Sequence, residues 1–327
     1  MNESSSSLVT GGAGFIGSHL CKELLKRGQK VICLDNLITG SRNNINFLLA
    51  NPNFQFIEYD ITKPLPANFK IKFSKLNFLY HLASPASPKK YQKYSRETLL
   101  VNSIGTYHML KLAYDTNSRF LLASTSEIYG DPQIHPQKET YWGNVNPVGP
   151  RSCYDEGKRF AESLTMDFIR KDKLDALIVR IFNTYGPNME VDDGRVISNF
   201  ISQSLLGKPL TIYGDGSQTR SFCYVTDLVD GIIKLMEKSD LKDNIFNLGN
   251  PDERTIIELA KAILKLTRSK SPLLHSSLPI DDPIRRKPDI TLVHRVVNWL
   301  PVTKLEVGLR STIDYFRNIF MVRAIEP

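Results

Sequence analysis

The sequence predicts an α/β fold: a doubly wound, mostly parallel sheet with helices on both faces and a smaller C-terminal region laid against it. Three observations predict it. Short apolar runs alternate with longer helical patterns through the first half of the 327 residues, a glycine cluster joins the first run to the first helical pattern, and after Asn183 the rhythm breaks into short pieces punctuated by Gly and Pro. The apolar runs are Leu8–Thr10, Lys30–Asp35, Phe54–Tyr59, Phe78–Leu82, Phe120–Ala123 and Ala176–Ile181. Strands separated by helices need crossover connections, so they pair in parallel and are covered on both faces. The crossover helices are expected over Gly14–Arg27, Arg96–Thr116 and Ser152–Lys171. Residues 1–183 are thus expected to form the dinucleotide-binding part. Residues 184–327, with turns at Tyr213-Gly-Asp-Gly216, Gly249-Asn-Pro251 and Asp281-Asp-Pro283, should form a smaller region over the C-terminal ends of the strands, some of whose segments return to the sheet.

Composition narrows the class. With 41% hydrophobic and 23% charged residues the chain lies in the ordinary globular range, which excludes a disordered or fibrous protein. No apolar run reaches the ~18 residues of a membrane span, and Met1–Ser7 has neither a basic start nor an apolar stretch for export, so a cytoplasmic location is expected. Cys21, Cys33, Cys153 and Cys223 are scattered, with no C-x-x-C pair and no histidine cluster; free thiols and no metal are expected. The net charge of +8 is spread among acidic residues, which suits a solvated surface or an anionic small substrate better than nucleic acid.

The run Leu8-Val-Thr10 leads through Gly11-Gly-Ala-Gly14-Phe-Ile-Gly17 into the helical pattern Ser18–Arg27. Glycines suit a tight turn whose backbone must approach a pyrophosphate, with the helix N–H groups meeting the charge. The second run ends in Asp35, roughly twenty residues beyond the loop, where a carboxylate binds the adenosine ribose and repels an extra phosphate. NAD is therefore expected over NADP in a Rossmann-type site. A turn cap shared with Asn36 is the other reading of Asp35, and Asp60 stands equally for an adenine contact or a turn.

Tyr154 and Lys158 stand at i,i+4 spacing at the start of a helix, hence on one face. A phenol titrates near pH ~10 and becomes a base only where positive charge favours the phenolate. An exposed helix face is the plain alternative. Leu121-Leu-Ala-Ser-Thr125-Ser-Glu127 runs out into hydroxyls and a carboxylate at the ligand-binding edge: Thr125 can share a substrate proton with Tyr154, while Ser126 and Glu127 face the neighbouring carbon. A turn signal is the alternative there.

Together with His81-Leu-Ala-Ser-Pro-Ala-Ser-Pro88, His135-Pro-Gln, Tyr141-Trp-Gly, Asn146-Pro-Val-Gly-Pro150, Asp193-Gly-Arg-Val, Gln218-Thr-Arg-Ser-Phe222 and Arg286-Lys-Pro-Asp289, these residues resemble the extended short-chain dehydrogenase/reductase family over nearly the whole chain, and within it the branch that decarboxylates UDP-glucuronate. The resemblance implies that Tyr154, assisted by Thr125 and Lys158, takes the 4-hydroxyl proton while NAD takes the 4-hydride. The resulting ketone is β to the carboxylate, CO2 leaves, and Glu127 and Arg220 help to hold and reprotonate the enolate; the returned hydride gives UDP-xylose. It extends the cofactor surface from Gly11, Gly14, Phe15, Ile16 and Gly17 to Asn36, Thr39, Gly40, Ile61, Leu82 and Ser84. Pro85, Asn183, Arg195, Val196, Asn199, Tyr213, Gln218, Arg220, Arg286 and Asp289 fall to the sugar nucleotide, Asp289 orienting Arg286 or meeting the ribose. Structural salt bridges are the alternative for each arginine.

The related 4,6-dehydratases carry an acidic Asp where Ser126 stands, so Ser126 argues for decarboxylation over dehydration; a 4-epimerase, and from another class a non-catalytic NAD-binding sensor, are the remaining alternatives. Relatives dimerise through helices matching Arg96–Thr116 and Ser152–Lys171, which implies a homodimer. Four places depart from the family pattern: Leu100-Val101 in place of Lys-Thr, Asn188 in place of Arg, a basic surface loop at Lys70–Lys75, and Ser5–Ser7, which should shorten the first strand.

Overall fold

The computed structural model describes residues 5–66, 68–69, 73–278, 283 and 285–325. Its centre is a seven-stranded sheet of β1 (Ser6–Thr10), β2 (Lys30–Asp35), β3 (Phe54–Glu58), β4 (Phe78–His81), β5 (Arg119–Thr125), β6 (Ala176–Ile181) and β7 (Ile245–Leu248) in the order β3-β2-β1-β4-β5-β6-β7. Every pair is parallel. The chain winds outward from β1 to β3, then restarts at β4 on the other side of β1, so the carboxyl ends of β1 and β4 flank the crevice where such sheets bind ligands.

The main helices are α1 (Phe15–Lys26), α2 (Ser95–Leu100), α3 (Thr106–Thr116), α4 (Ser152–Asp172), α5 (Val196–Leu205), α6 (Val225–Glu237), α7 (Ile256–Thr267) and α8 (Leu305–Ile325), with a π-helical turn at Val101–Gly105 joining α2 to α3 and two short helices at Pro88–Lys93 and Thr291–Val297. Neighbouring strand residues point to opposite faces. Val9, Leu121 and Val179 thus share one core with Leu20 and Leu24 of α1 and Ile232 and Ile233 of α6, while Leu8, Leu122 and Ile178 share the other with Met109 and Leu110 of α3 and Ala161 of α4. A third core, including Met189, Val191, Phe200, Ile212, Leu259 and Phe316, holds the C-terminal region together. There Thr219–Ser221 lies between Glu253–Thr255 and Arg285–Arg286, and the register sets Arg286 beside Arg220. Thr255 and Glu258 form a capping box that starts α7.

Two expectations need correction. The serines at the N-terminal end do not shorten β1, because their polar groups have partners: the Ser7 hydroxyl donates to Gln29 Oε1 at 2.6 Å and the Ser6 N–H to Asn77 Oδ1 at 2.8 Å. The basic stretch is more than a surface loop. Residues 70–72 lie outside the described ones, but Phe69, Phe73 and Leu76 around them are buried in the α3 and α4 core. Asp281 and Asp282 also lie outside the described residues. The four cysteines are free and buried, and no helix among the described residues is long and apolar enough to cross a membrane.

β7 comes from far along the chain and completes the sheet beside β6. Its Asn247 is fully buried and ties down the loop after β5: Oδ1 accepts from Tyr129 Oη at 2.9 Å, Nδ2 donates to the carbonyl of Gln137 at 3.1 Å, and the backbone N–H donates to Glu139 Oε1 at 2.9 Å.

Candidate active site

A cleft of about 1310 Å³ opens at the carboxyl ends of the strands. It is lined by every residue assigned above to cofactor, chemistry or sugar nucleotide with the exception of Asp289.

At one end the backbone of the glycine loop makes the wall. Gly11 has φ of 70°, and a Cβ there would lie 2.8 Å from Ala83 Cα; a Cβ on Gly17 would run into the Gly11 carbonyl. No side chain caps α1 at Gly14, so its first N–H groups have no side-chain acceptor there. Asp35 Oδ2 accepts from the Ala13 N–H at 3.0 Å and Oδ1 from the Leu37 N–H at 2.8 Å, which braces the loop and leaves lone pairs for a ribose. The turn role of Asp35 is thus met by the Leu37 N–H, and the residue also lines the cleft. Asp60 likewise lines the cleft while Oδ1 accepts from Thr62 N at 2.9 Å. An anion-binding helix start, a cradle without side chains and an acid beyond it fit a dinucleotide.

The chemistry end is assembled by β5 and α4. A buried ion pair fixes their register: Arg180 Nη2 on β6 lies 2.8 Å from Glu162 Oε2 on α4, and the other Glu162 oxygen accepts from Ser124 at 2.6 Å. One helical turn earlier Lys158 donates to the Ala123 carbonyl at 2.8 Å, and one turn before that Tyr154 hydrogen-bonds the Thr125 hydroxyl. All three side chains are buried. Burial pushes the Tyr154 phenol up to about 12 against the pull of Thr125. It pushes the Lys158 ammonium down to about 7, with Glu162 opposing.

A stability prediction follows. The fold disfavours the Lys158 ammonium, and this cost is complete below about pH 7 and fades between 7 and 10.5, where the unfolded chain also loses the proton. Lys158→Met is therefore expected to raise the melting temperature at pH 6 and to raise it less at pH 10, measured by thermal scans of the ligand-free protein.

Two residues not singled out from the sequence belong to this end. The ring of Tyr91, in the short helix Pro88–Lys93, stacks on Tyr154 with centroids 5.0 Å apart and planes within 2°. Arg151, at the start of α4, is ion-paired to Glu127, whose other oxygen is ion-paired to Arg286. A signal for Arg151 was present: a cation at a helix N-terminus opposes the helix dipole and needs an anion to hold it there. Burial alone would raise the Glu127 carboxyl, but Arg286 and Arg151, with Arg220 beyond them, hold it at about 2.

The direct partners of Glu127 are thus Arg286 and Arg151; the second nitrogen of Arg286 also donates to the Gly130 carbonyl at 2.8 Å, while Arg220 donates to the Thr219 carbonyl at 2.9 Å and acts on Glu127 through its charge. Asp289 neither orients Arg286 nor faces the cleft: Oδ1 accepts from the Thr291 N–H at 2.9 Å in the turn that leads into the helix Thr291–Val297. Leu100 and Val101 line the cleft with apolar surface. Asn188 takes the left-handed conformation asparagine tolerates, with φ of 68°, and donates to Ser18 on α1 at 2.9 Å.

A sequence model of the NAD dependent epimerase/dehydratase family matches residues 7–249. The chain belongs to this family. Its relatives include UDP-glucuronic acid decarboxylase 1 of Arabidopsis thaliana, 49% identical over 311 residues that span 95% of this chain and 69% of the relative. UDP-glucuronic acid decarboxylase 1 of Danio rerio is 48% identical over 309 residues, 94% of this chain and 72% of the relative. Among solved structures, UDP-glucuronic acid 4-epimerase from Bacillus cereus, in complex with UDP-glucuronic acid and NAD, aligns at a TM-score of 0.85 and 28% identity over 96% of this chain and 99% of the other. The cofactor of the family is NAD, and the glycine cradle and Asp35 fit it.

Proposed function

We propose that this chain decarboxylates UDP-glucuronate to UDP-xylose. Bound NAD supplies the hydride acceptor for carbon 4 and the donor that restores it. Tyr154 receives the 4-hydroxyl proton, Thr125 holds the hydroxyl and phenol in line, and Lys158 favours the phenolate. Once carbon 4 is a ketone the neighbouring carboxylate is lost as CO2; the enolate left faces Arg286, backed by Arg220, and takes a proton at carbon 5 from solvent before the hydride returns to carbon 4. Asn183, Arg195, Asn199, Tyr213 and Gln218 take the nucleotide diphosphate end, so the cofactor falls to residues 1–183 and the sugar nucleotide largely to 184–327.

The observation that carries this reading is the acid–base state beside Tyr154. Ser126 is neutral, and Glu127 is held at about 2 by its guanidinium partners, so neither offers the protonated carboxyl that expulsion of a 6-hydroxyl needs. Decarboxylation expels no hydroxyl. The relatives named UDP-glucuronic acid decarboxylase support it. Incubating the purified chain with UDP-glucuronate and NAD is expected to yield CO2 and UDP-xylose with no net NADH. Lasting NADH points to release of the 4-keto pentose, and a C4-inverted sugar acid with its carboxylate kept marks a 4-epimerase and overturns the assignment.

We further infer a homodimer. Leu99 and Leu100 of α2, Ile104 of the π turn, Tyr107 of α3 and Phe160 of α4 are exposed large apolar residues on helices that pack together. A second copy laid on this face makes a four-helix bundle. Ile104→Glu with Phe160→Glu is expected to turn a dimer into a monomer in sedimentation equilibrium.

A further inference from the structure

The segment 186–195, between Thr184–Tyr185 and α5, bridges two sides of the cleft. Its inner side is apolar: Met189 and Val191 are buried in the C-terminal core, and the Val191 carbonyl accepts from Ser202 at 2.5 Å. Its first residues are tied to α1, where His19 Nε2 hydrogen-bonds the Pro187 carbonyl at 2.9 Å and Asn188 reaches Ser18. Its outer residues are tied to the helix Pro88–Lys93 by charge. Glu190 lies 2.9 Å from Lys90 Nζ and Asp192 lies 3.0 Å from Lys89 Nζ, which also donates to the Asp192 carbonyl at 3.2 Å. All four charged residues line the cleft.

The attachments differ in strength. Met189 and Val191 sit in a packed core and hold one edge of the segment to the C-terminal region. The ionic edge is in water: the Lys89 and Asp192 side chains are 59% and 70% exposed, the Lys90 and Glu190 side chains 27% and 41%. Exposed pairs of this kind are weak and are screened by salt. The ionic edge is therefore where the strap parts most easily. The helix it reaches is the one whose Tyr91 stacks on Tyr154.

We propose that the Lys89–Asp192 and Lys90–Glu190 pairs are the releasable latch of a strap over the cleft, and that they must part before a bound nucleotide leaves. The latch goes beyond the decarboxylation reading, since it acts on any nucleotide in the cleft. The Pro88–Lys93 helix keeps its own anchor when the latch parts, because Tyr91 is buried with Cys153 and Tyr154 of α4.

The test is the rate of NADH release from the full chain, followed by stopped-flow fluorescence with excess NAD as the chase and UDP present, at low and high KCl. Lys90→Glu and Glu190→Lys are each expected to speed release about 3–10-fold at low salt, because a weak attraction becomes a repulsion. The exchanged pair, Lys90→Glu with Glu190→Lys, should return to within about twofold of the parent. High salt should speed the parent and narrow its difference from the charge-reversed single variants, because it screens attraction and repulsion alike. Lys90→Gln and Glu190→Gln, which remove the attraction without adding repulsion, should act in the same direction by a smaller factor. Release rates that stay the same in all single variants, or single effects that add in the exchanged pair instead of cancelling, overturn the latch. Decarboxylation is scored separately by CO2, so either idea can fail without the other.

Discussion

Tyr154→Phe is expected to lower turnover about 10²–10⁴-fold and to leave NAD binding within a factor of two. The substitution removes one hydroxyl and its hydrogen bond to Thr125. It keeps the ring, and with it the stack on Tyr91 at 5.0 Å, so α4 and the Pro88–Lys93 helix should hold their places. The glycine loop and Asp35 lie on β1, α1 and β2 and are untouched. Without the phenol, the 4-hydroxyl proton has no buried acceptor in line with Thr125. Fluorescence titration with NADH gives the binding half of the expectation, and CO2 released from carboxyl-labelled UDP-glucuronate gives the other. A fully active Phe variant would remove the phenol from the mechanism.

Arg286→Met should cost both turnover and stability. Arg286 is almost fully buried and exerts the largest Coulombic pull among the cations that keep Glu127 ionised. Its loss removes a fixed positive charge beside the reacting sugar, worth about 10²–10³ in kcat. It also leaves a buried carboxylate short of a partner, a change that costs up to about 3–5 kcal/mol when nothing else compensates and less here because Arg151 remains. The pH dependence separates the two effects. With its carboxyl at about 2 in the fold against an ordinary 4.5, Glu127 contributes stability that is complete above about pH 4.5 and is lost as pH falls towards 2. That acid limb should be shallower in Arg286→Met. Adding Glu127→Leu should recover stability and leave turnover low; recovery of both would show that Arg286 serves only to balance Glu127.

Much of this architecture was legible from residue order because each signal was local. The short apolar runs, the glycine loop and an acid at the end of β2 each depend on a few neighbouring residues, and they place six strands and the cofactor end. Tyr154, Lys158 and Thr125 were legible because helix spacing and a strand end put them on converging surfaces. What escaped depends on distant partners. β7 lies in the region where Gly and Pro break the rhythm, and its partner β6 in the sheet is far back along the chain. Tyr91 matters through a stack with a residue far along the chain. Asp289 was misplaced because a carboxylate three residues after an arginine reads as its partner, whereas here it serves a nearer N–H. Arg286 and Arg220 sit side by side in one small sheet, and only its register decides which of them meets Glu127.

The late arrival of β7 bears on how the chain folds as it is made. When the first 183 residues have left the ribosome, β6 still lacks its outer neighbour, and Tyr129 and Glu139 lack the asparagine that ties them down. The nascent half therefore carries a bare strand edge open to wrong pairing, next to a catalytic loop not yet fixed. Only some sixty residues later does one strand close the edge and anchor that loop, so shielding of the sheet and fixing of the loop should come in the same event, before Arg286 has been made.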